Sequence, residues 1–215
     1  ILDGTSAPIN KGFDSDSTEN FELGTKLALL DDRLQINAAV YRVNWEGIPL
    51  RVFAGKLPSQ ATQTCFGSAI VNAGEARSQG FEVETTYQLN QSLRVSLGGA
   101  YTNAELTADF PAGNALDGDR LPSSPDYNVT LGLQYEFDLG GYASYVSGDY
   151  AYVSEFYNRL GKAGDKGGDY GQLNMSAGVV VNDFNISLFA HNLTNEDDLI
   201  SVGVLVPDTR AYRLR

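Results

Sequence analysis

Apolar and polar side chains alternate along most of this chain in stretches of about ten residues. In the clearest stretch, residues 127–137, every second residue is apolar, and those between are polar or glycine. Successive side chains of a β-strand point to opposite faces, so this pattern predicts a strand with one apolar and one polar face. Strands of soluble sandwiches are usually near five or six residues, whereas about ten residues cross a bilayer when tilted. The length therefore favours a membrane-crossing strand.

The same alternation predicts about eight strands in all, with a candidate ninth beginning near Arg210. Two of them are ambiguous. In residues 33–48, Ile36 and Val40 share one face, whereas Tyr41 and Trp45 share the opposite one. Either a β-bulge exchanges the faces there, or this end stands above the membrane. Residues 142–157 carry tyrosines on both faces, so the orientation of that strand stays open. The remaining strands are predicted at residues 20–30, 81–90, 93–102, 127–137, 172–181 and 184–190.

Short polar turns and long loops alternate between these strands. Turns are predicted at residues 30–33, 89–92, 138–141 and 181–184, and loops at residues 47–74, 104–122, 154–169 and from 195 onward. Tight turns on one rim and long loops on the other are typical of outer-membrane barrels, in which the outer rim meets ligands. The chain is therefore predicted to be all-β and to form consecutive hairpins of an antiparallel up-and-down transmembrane β-barrel.

Composition is consistent with a barrel and excludes other classes. The 215 residues contain no apolar run near the roughly 20 residues that a spanning helix needs. The chain has 23 Gly, 12 Tyr and 10 Phe, residue types that suit tight barrel walls and interfacial aromatic girdles. The net charge of −12 disfavours nucleic acid, because phosphate binding needs a basic surface. Such acidity either attracts a cationic ligand or simply keeps the rim soluble.

Metal, cofactor and enzyme signatures are weak. Cys65 and His191 are the sole residues of their types, so no Cys/His metal cluster can form. Cys65 is either free or paired with a residue outside this chain. The aspartates in residues 14–16 and 117–119 alternate as in calcium loops but lack the terminal glutamate. Neither a nucleophile elbow nor a phosphate loop is present. We therefore expect no metal, no cofactor and no enzymatic activity.

Four motifs in order resemble those of TonB-dependent receptors. They are residues 19–45 (ENFELGTKLALLDDRLQINAAVYRVNW), 72–84 (NAGEARSQGFEVE), 118–125 (GDRLPSSP) and 185–195 (NISLFAHNLTN). The resemblance implies a bacterial outer-membrane receptor whose barrel of about 22 strands is occluded by an N-terminal plug. It also implies import of a scarce ligand such as a ferric siderophore, with energy from the TonB complex. The expected partners are outer-membrane lipid, the ligand and, through the plug, TonB.

The resemblance also predicts how the chain fits into such a receptor. Residues 1–215 are expected to be a C-terminal portion of the barrel wall, without the plug and without the closing strand. The first residues lack the basic and apolar regions of a signal peptide, so an exported protein would be represented here by a mature or partial chain. An open sheet of eight strands would leave two unpaired edges, so we expect that it is not a transporter by itself.

Two groups of side chains are candidates for function. Charged residues on the polar faces are predicted to line a ligand path or contact the plug, unless they simply solvate a wet lumen: Glu82, Glu84, Arg94 and Glu136. Aromatic residues at or near the long loops are predicted to stack on a ligand, unless they belong to an interfacial girdle: Trp45, Phe53, Phe66, Phe110, Phe156 and Tyr157.

Two other functions remain open from the sequence. One is a passive outer-membrane barrel or porin of eight strands, in which the first and last strands pair with each other. The other is a soluble carbohydrate-binding β-sandwich, in which the apolar faces of two sheets are buried against each other.

Overall fold

The computed structural model describes residues 14–54, 67–72, 74–111, 114–161, 164–204 and 209–213. The strands within these ranges are β1 (Ser17–Leu29), β2 (Leu34–Glu46), β3 (Pro49–Ala54), β4 (Gly67–Asn72), β5 (Glu75–Gln88), β6 (Leu93–Leu106), β7 (Tyr127–Asp138), β8 (Ala143–Val153), β9 (Phe156–Tyr157), β10 (Lys166–Gly167), β11 (Tyr170–Val181), β12 (Phe184–Ala190), β13 (Leu199–Val204) and β14 (Thr209–Arg213). Among the described residues, no helix is long and apolar enough to cross a membrane.

Eight of these strands form one antiparallel sheet with the order β1-β2-β5-β6-β7-β8-β11-β12. Each long strand pairs with the next long strand along the chain, which is the up-and-down arrangement predicted from the sequence. Seven of the eight contain 11 to 14 residues, long enough to cross a bilayer when tilted. Within the described residues β1 and β12 are the two edges and do not pair with each other, so this sheet is open.

The remaining strands form three short ladders within the long loops. β3 pairs with β4 beyond the end of the β2–β5 hairpin, β9 pairs with β10, and β13 pairs with β14. The candidate ninth strand near Arg210 corresponds to β14, which pairs with β13 rather than with the large sheet.

The large sheet has an outer face that is apolar over most of its height. Directly paired residues lie on the same face, and Leu97, Leu131 and Tyr150 form one such row on β6, β7 and β8. Apolar side chains on this face are exposed because no other described part of the chain covers them. They include Leu23, Leu27, Val40, Phe81, Leu97, Leu131, Leu133, Val146, Met175, Ile186 and Leu188.

Aromatic side chains mark both limits of this apolar band. Toward the long loops, Phe81 and Tyr101 have ring centroids 5.8 Å apart, and Tyr101 and Tyr127 have theirs 5.2 Å apart. Toward the short turns, Tyr135 and Phe137 stack at 5.6 Å. The ten residue steps from Tyr127 to Phe137 rise about 33 Å along the strand, or about 25 Å along the membrane normal at a tilt near 40°. This height matches the lipid-facing band of an outer-membrane barrel.

The change of faces in β2 does not arise from a bulge. Its pairing with both β1 and β5 runs without a register shift from Leu34 to Glu46. The register leaves the second sequence-based explanation, and we infer that the end of β2 that contains Arg42 and Trp45 stands above the lipid band. There the outer face becomes polar, with Arg42 opposite Gln79, and the inner face becomes apolar.

The tight turns lie where the sequence predicts them. Residues 30–32 all have positive φ, between 55° and 63°, as does Asn182 at 53°. Gly140 and Gly141 have φ values of 64° and 92°, which suit glycine. The Asn90 side chain accepts hydrogen bonds from the backbone of Ser92 at 2.9 Å and of Leu93 at 3.0 Å, which forms an Asx turn. These local bonds fix the hairpin register on the short-turn rim.

Candidate functional site: the inner face and its loop-covered mouth

The inner face carries three carboxylates and one lysine around a groove formed by β1, β2 and β5. Glu84 pairs with Asn37, which in turn pairs with Lys26, so these three side chains form one row. Glu82 lies one row closer to the long loops, and Glu22 lines the same groove of about 500 Å³. The structure therefore places Glu82 and Glu84 on the predicted face, at the wall of an acidic recess.

Arg94 and Glu136 lie on the same face, nearer the short turns. The Arg94 guanidinium donates through Nε to the Gln88 side chain at 3.0 Å. Glu136 accepts a hydrogen bond from Gln134 Nε2 at 2.8 Å. Both groups interact with neighbouring amides on this polar wall, and their contact with a ligand or a plug stays a prediction.

Polar side chains also connect β8, β11 and β12 across the inner face. The hydroxyls of Ser147 and Ser176 are 2.7 Å apart, and Asn174 Nδ2 donates to Asp149 at 2.8 Å. The Tyr145 and Ser187 hydroxyls lie 3.1 Å apart. A face with these cross-strand hydrogen bonds suits a water-filled lumen.

A small apolar cluster closes the long-loop end of the inner face. It consists of the buried residues Ile48, Ala76, Leu106, Phe110 and Ala115, and it is called here the rim cluster. Ala76 and Leu106 are a directly paired couple on β5 and β6, on the same face as Glu82 and Glu84. Because residues of the β6–β7 loop pack on that couple, this loop folds inward across the top of the inner wall.

Burial limits what two of the predicted ligand-binding aromatics can do. Phe110 is only 6% exposed and Phe156 only 8%, so neither ring has a free face on which a ligand can stack. Both rings are packed within the loops, so this arrangement does not support ligand stacking by Phe110 or Phe156. The sequence places them in loops, but their burial depends on contacts that are distant in sequence.

Trp45 and Tyr157 keep partly exposed rings. Trp45 packs against the rim cluster, and its indole Nε1 donates to Asp16 at 2.7 Å. Tyr157 belongs to the β9–β10 ladder, and its carbonyl accepts a hydrogen bond from the Ser123 amide at 2.7 Å. Ligand contact by these two residues stays a prediction. The Phe53 side chain, Phe66 and Cys65 lie outside the part of the chain whose side chains are described.

Arg120 joins two of the long loops, a role that sequence reasoning missed. Its Nη2 donates to the carbonyl of Ser124 at 3.0 Å and forms an ion pair with the Asp126 carboxylate. Its own carbonyl accepts a hydrogen bond from the Gly161 amide at 3.1 Å, and Gly161 lies in the loop after β8. The motif at residues 118–125 signalled that this loop matters, but not which partners the arginine binds.

Asn192 organises the start of the loop after β12. Its φ is 53°, and its side chain accepts from the Glu196 amide and donates to the Glu196 carbonyl, both at 2.9 Å. Its backbone amide donates to the Asn174 side chain at 2.9 Å. The asparagine of the N-L-T motif therefore closes a turn and binds it to β11.

The alternating aspartates at residues 117 and 119 form hydrogen bonds within the protein. Asp119 accepts a hydrogen bond from the Leu116 amide at 2.8 Å, and Asp117 donates its amide to Asp109 at 3.0 Å. Among the described residues there is no group of three or more His, Cys, Asp or Glu side chains that could hold a metal ion.

Comparison with known proteins agrees with this architecture. Residues 3–195 match the family described as TonB dependent receptor-like, beta-barrel. The metal-pseudopaline receptor CntO of Pseudomonas aeruginosa is 32% identical over 157 residues, which cover 73% of this chain and 20% of the receptor. The probable TonB-dependent siderophore receptor PiuA of Acinetobacter baumannii is 26% identical over 135 residues, which cover 59% of this chain and 16% of that receptor.

Solved structures share the fold at lower identity. The ferric yersiniabactin uptake receptor FyuA of Yersinia pestis superposes with a TM-score of 0.76 at 21% identity, covering 95% of this chain and 29% of that chain. The copper transporter OprC superposes with a TM-score of 0.66 at 19% identity, covering 91% of this chain and 28% of that chain. The chain spans about one fifth of the length of the curated relatives that it matches. These relatives are receptors and transporters by name.

Proposed function

Because this chain belongs to the TonB-dependent receptor β-barrel family, we propose that it forms part of the wall of a receptor that imports a metal chelate with TonB-derived energy. Receptors of this family are outer-membrane proteins of Gram-negative bacteria, and this protein is one of them. The complete protein is a transporter rather than an enzyme under this proposal. The observation that carries it is the 32% identity to a receptor for a metal-pseudopaline complex.

The inward fold of the β6–β7 loop supports a ligand site at the long-loop rim. A loop that packs on the inner wall narrows the mouth, and its apolar rim cluster holds it in place. In this proposal the ligand binds among the loops above the rim cluster, where Trp45 and Tyr157 keep exposed ring surface. A preorganised loop lowers the entropy that ligand binding would otherwise cost.

The acidic recess below the mouth supports a contact with the plug. Glu22, Glu82 and Glu84 outnumber Lys26 there, so the recess favours a cationic partner. We expect E82Q/E84Q to lower the rate of chelate uptake severalfold while the affinity of cells for the chelate at 4 °C stays unchanged. E46Q/E75Q, which removes a directly paired couple of carboxylates from the outer face, is the matched control. Loss of surface binding in E82Q/E84Q would instead mean that these carboxylates contact the ligand.

Two alternatives lose support from the sheet itself. A passive barrel of eight strands requires β1 to pair with β12, but these strands are the open edges of the described sheet. A soluble sandwich requires a second sheet over the apolar face, but the large side chains there are exposed within the described residues.

The test of the proposed function is uptake in the native bacterium. Cells lacking the gene, complemented cells and cells lacking TonB are given hydroxamate, catecholate and carboxylate chelates of ⁵⁵Fe, and the corresponding ⁶³Ni and ⁶⁵Zn complexes. We expect one chelate class to lose uptake in both mutants and to regain it on complementation. Uptake that depends on this gene but persists without TonB would support a passive channel and contradict the proposal.

A further inference from the structure

Three polar side chains form a row on the outer face, just beyond the aromatic girdle on the long-loop side. Arg42 on β2 is directly opposite Gln79 on β5, which is directly opposite Asn103 on β6. The girdle residues Phe81 and Tyr101 lie two residues closer to the lipid band on the same strands. This spacing puts the row about 7 Å beyond the girdle along the strands.

The hydrogen-bond donors of this row are largely unused. Arg42 is exposed and donates from Nε to the Asn44 side chain at 3.0 Å. Within the described part of the chain, the side-chain amides of Gln79 and Asn103 form no hydrogen bond. A guanidinium beside two amides offers several N–H groups to one anion.

The neighbouring arginines differ from Arg42 because each has a carboxylate partner. Arg77, one row further from the lipid, pairs with Glu105 at 2.5 Å. Arg120 pairs with Asp126. The nearest acidic side chain on β1, Glu19, accepts a hydrogen bond from Asn44 at 3.5 Å. Arg42 is therefore an outward-facing cation without an ion pair among the described residues, and Glu46 and Glu75 on the same face lie two rows further from the lipid band.

The position of the row indicates which anion it meets. The rings of an aromatic girdle lie at the boundary between acyl chains and headgroups, so residues just beyond it lie at the level of the headgroups. The long loops continue from this rim, so the leaflet concerned is the outer one. Headgroup phosphates are the anions held at that depth.

We propose that Arg42, Gln79 and Asn103 bind the phosphorylated headgroup of an outer-leaflet glycolipid, while Phe81 and Tyr101 contact its acyl chains. Arg42 donates to the phosphate oxygens, and the two amides donate to the phosphate or to the adjoining sugar. This site rests on the outward orientation of the long loops and is independent of which chelate the receptor imports.

The test uses the complete receptor, purified and placed in nanodiscs that contain bisphosphorylated lipopolysaccharide or its enzymatically dephosphorylated form. Retained lipopolysaccharide is counted by native mass spectrometry, and affinity is measured by titration with fluorescent lipopolysaccharide. R42Q is expected to weaken binding of the phosphorylated form about tenfold, as loss of a charge-assisted hydrogen bond does. Binding of the dephosphorylated form should be weak in both proteins.

R94Q is the matched control, because it removes the same charge from the inner face and should leave binding unchanged. Asn103→Asp is the second variant and should weaken binding by adding a carboxylate to the row, so the test stands even if R42Q fails to fold. Inorganic phosphate at 10-fold excess should not compete. Equal binding by R42Q, Asn103→Asp and the parent protein would overturn the site, as would equal affinity for dephosphorylated lipid.

Discussion

At the scale of single residues, glycine and tyrosine act as pairs across neighbouring strands. Tyr145 lies across the strand from Gly178, and its ring occupies the space that a Cβ at residue 178 would need. Tyr41 is directly opposite Gly80, and its hydroxyl also lies 2.8 Å from Thr102 Oγ1. The absence of a glycine side chain thus lets an aromatic ring lie flat on the sheet. The composition shows many glycines and tyrosines, but only the register shows that they are partners.

We expect Gly178→Ala to destabilise the barrel by about 1–3 kcal/mol, because the added methyl group displaces the Tyr145 ring. Urea unfolding of the receptor in lipid vesicles measures this loss. Gly24→Ala is the control, since the nearest atom to its new Cβ is a carbonyl oxygen at an ordinary 3.4 Å. Relative to Gly178→Ala, the double variant Y145A/G178A should recover part of the lost free energy of unfolding. An unchanged free energy of unfolding in Gly178→Ala would contradict the pairing.

Asn192 permits a second prediction, because its backbone and side chain contribute separately. N192G keeps the positive φ and loses two side-chain hydrogen bonds, whereas N192A loses both features. Amide hydrogen exchange at residues 193–196 should therefore accelerate in N192G and more so in N192A. Equal exchange rates in both variants would show that the positive φ angle at residue 192 does not destabilise the alanine variant.

At the scale of elements, contacts between the long loops hold them together at the mouth. The rim cluster and Arg120 connect the β6–β7 loop to the ends of β5 and β6 and to the loop after β8. The sequence predicts where these loops begin and end. It could not predict their contacts, because Ile48, Ala76 and Phe110 meet only after the strands pair.

Replacement of Arg120 by methionine should loosen this body by about 1–3 kcal/mol, since it leaves the half-buried Asp126 unpaired. Hydrogen exchange should increase both at residues 118–126 and at residues 157–161. Lys166→Met is the control, because its ion pair with Glu155 is exposed and contributes little. Faster exchange in the first segment alone would mean that the Arg120 side chain does not hold the carbonyl that accepts from the Gly161 amide.

The depth of each strand in the membrane gives a further prediction. Leu131 lies midway between the two aromatic girdles on β7, so Leu131→Arg should cost about 2–4 kcal/mol. Asn103 lies beyond the outer girdle, so Asn103→Arg should cost about 0–1 kcal/mol. Urea unfolding of both variants in lipid vesicles measures and compares these two costs. Similar costs would contradict the assigned membrane boundary.

At the scale of the whole molecule, the open sheet leads us to expect that this chain is part of a larger barrel wall. β1 is exposed along its whole length. Its edge that faces away from β2 has no partner strand in the described residues. Unpaired backbone groups in hydrocarbon each cost several kcal/mol, so both edges need further strands.

Residues 14–204 refolded alone into lipid vesicles should therefore fail to form a stable barrel. Gel electrophoresis without boiling should show no compact, heat-sensitive band for this fragment, whereas the complete receptor refolded in parallel should show one. A compact band together with ion conductance from the fragment would support a self-closed barrel and contradict the larger wall.

The sequence alone determined the eight long strands, the two faces of most of them and the tight turns, because these depend on local alternation and on residues such as Asn90 and Gly140. The faces of β8 and the short strands within the long loops came only from the structure. Four ordered motifs were also enough to indicate the receptor family. Only the tertiary structure decided where β2 leaves the lipid band, because that depends on its register with β1 and β5. It likewise decided that Phe110 is buried, which depends on contacts with distant strands, and that Arg120 meets Asp126, which depends on the path of the β6–β7 loop.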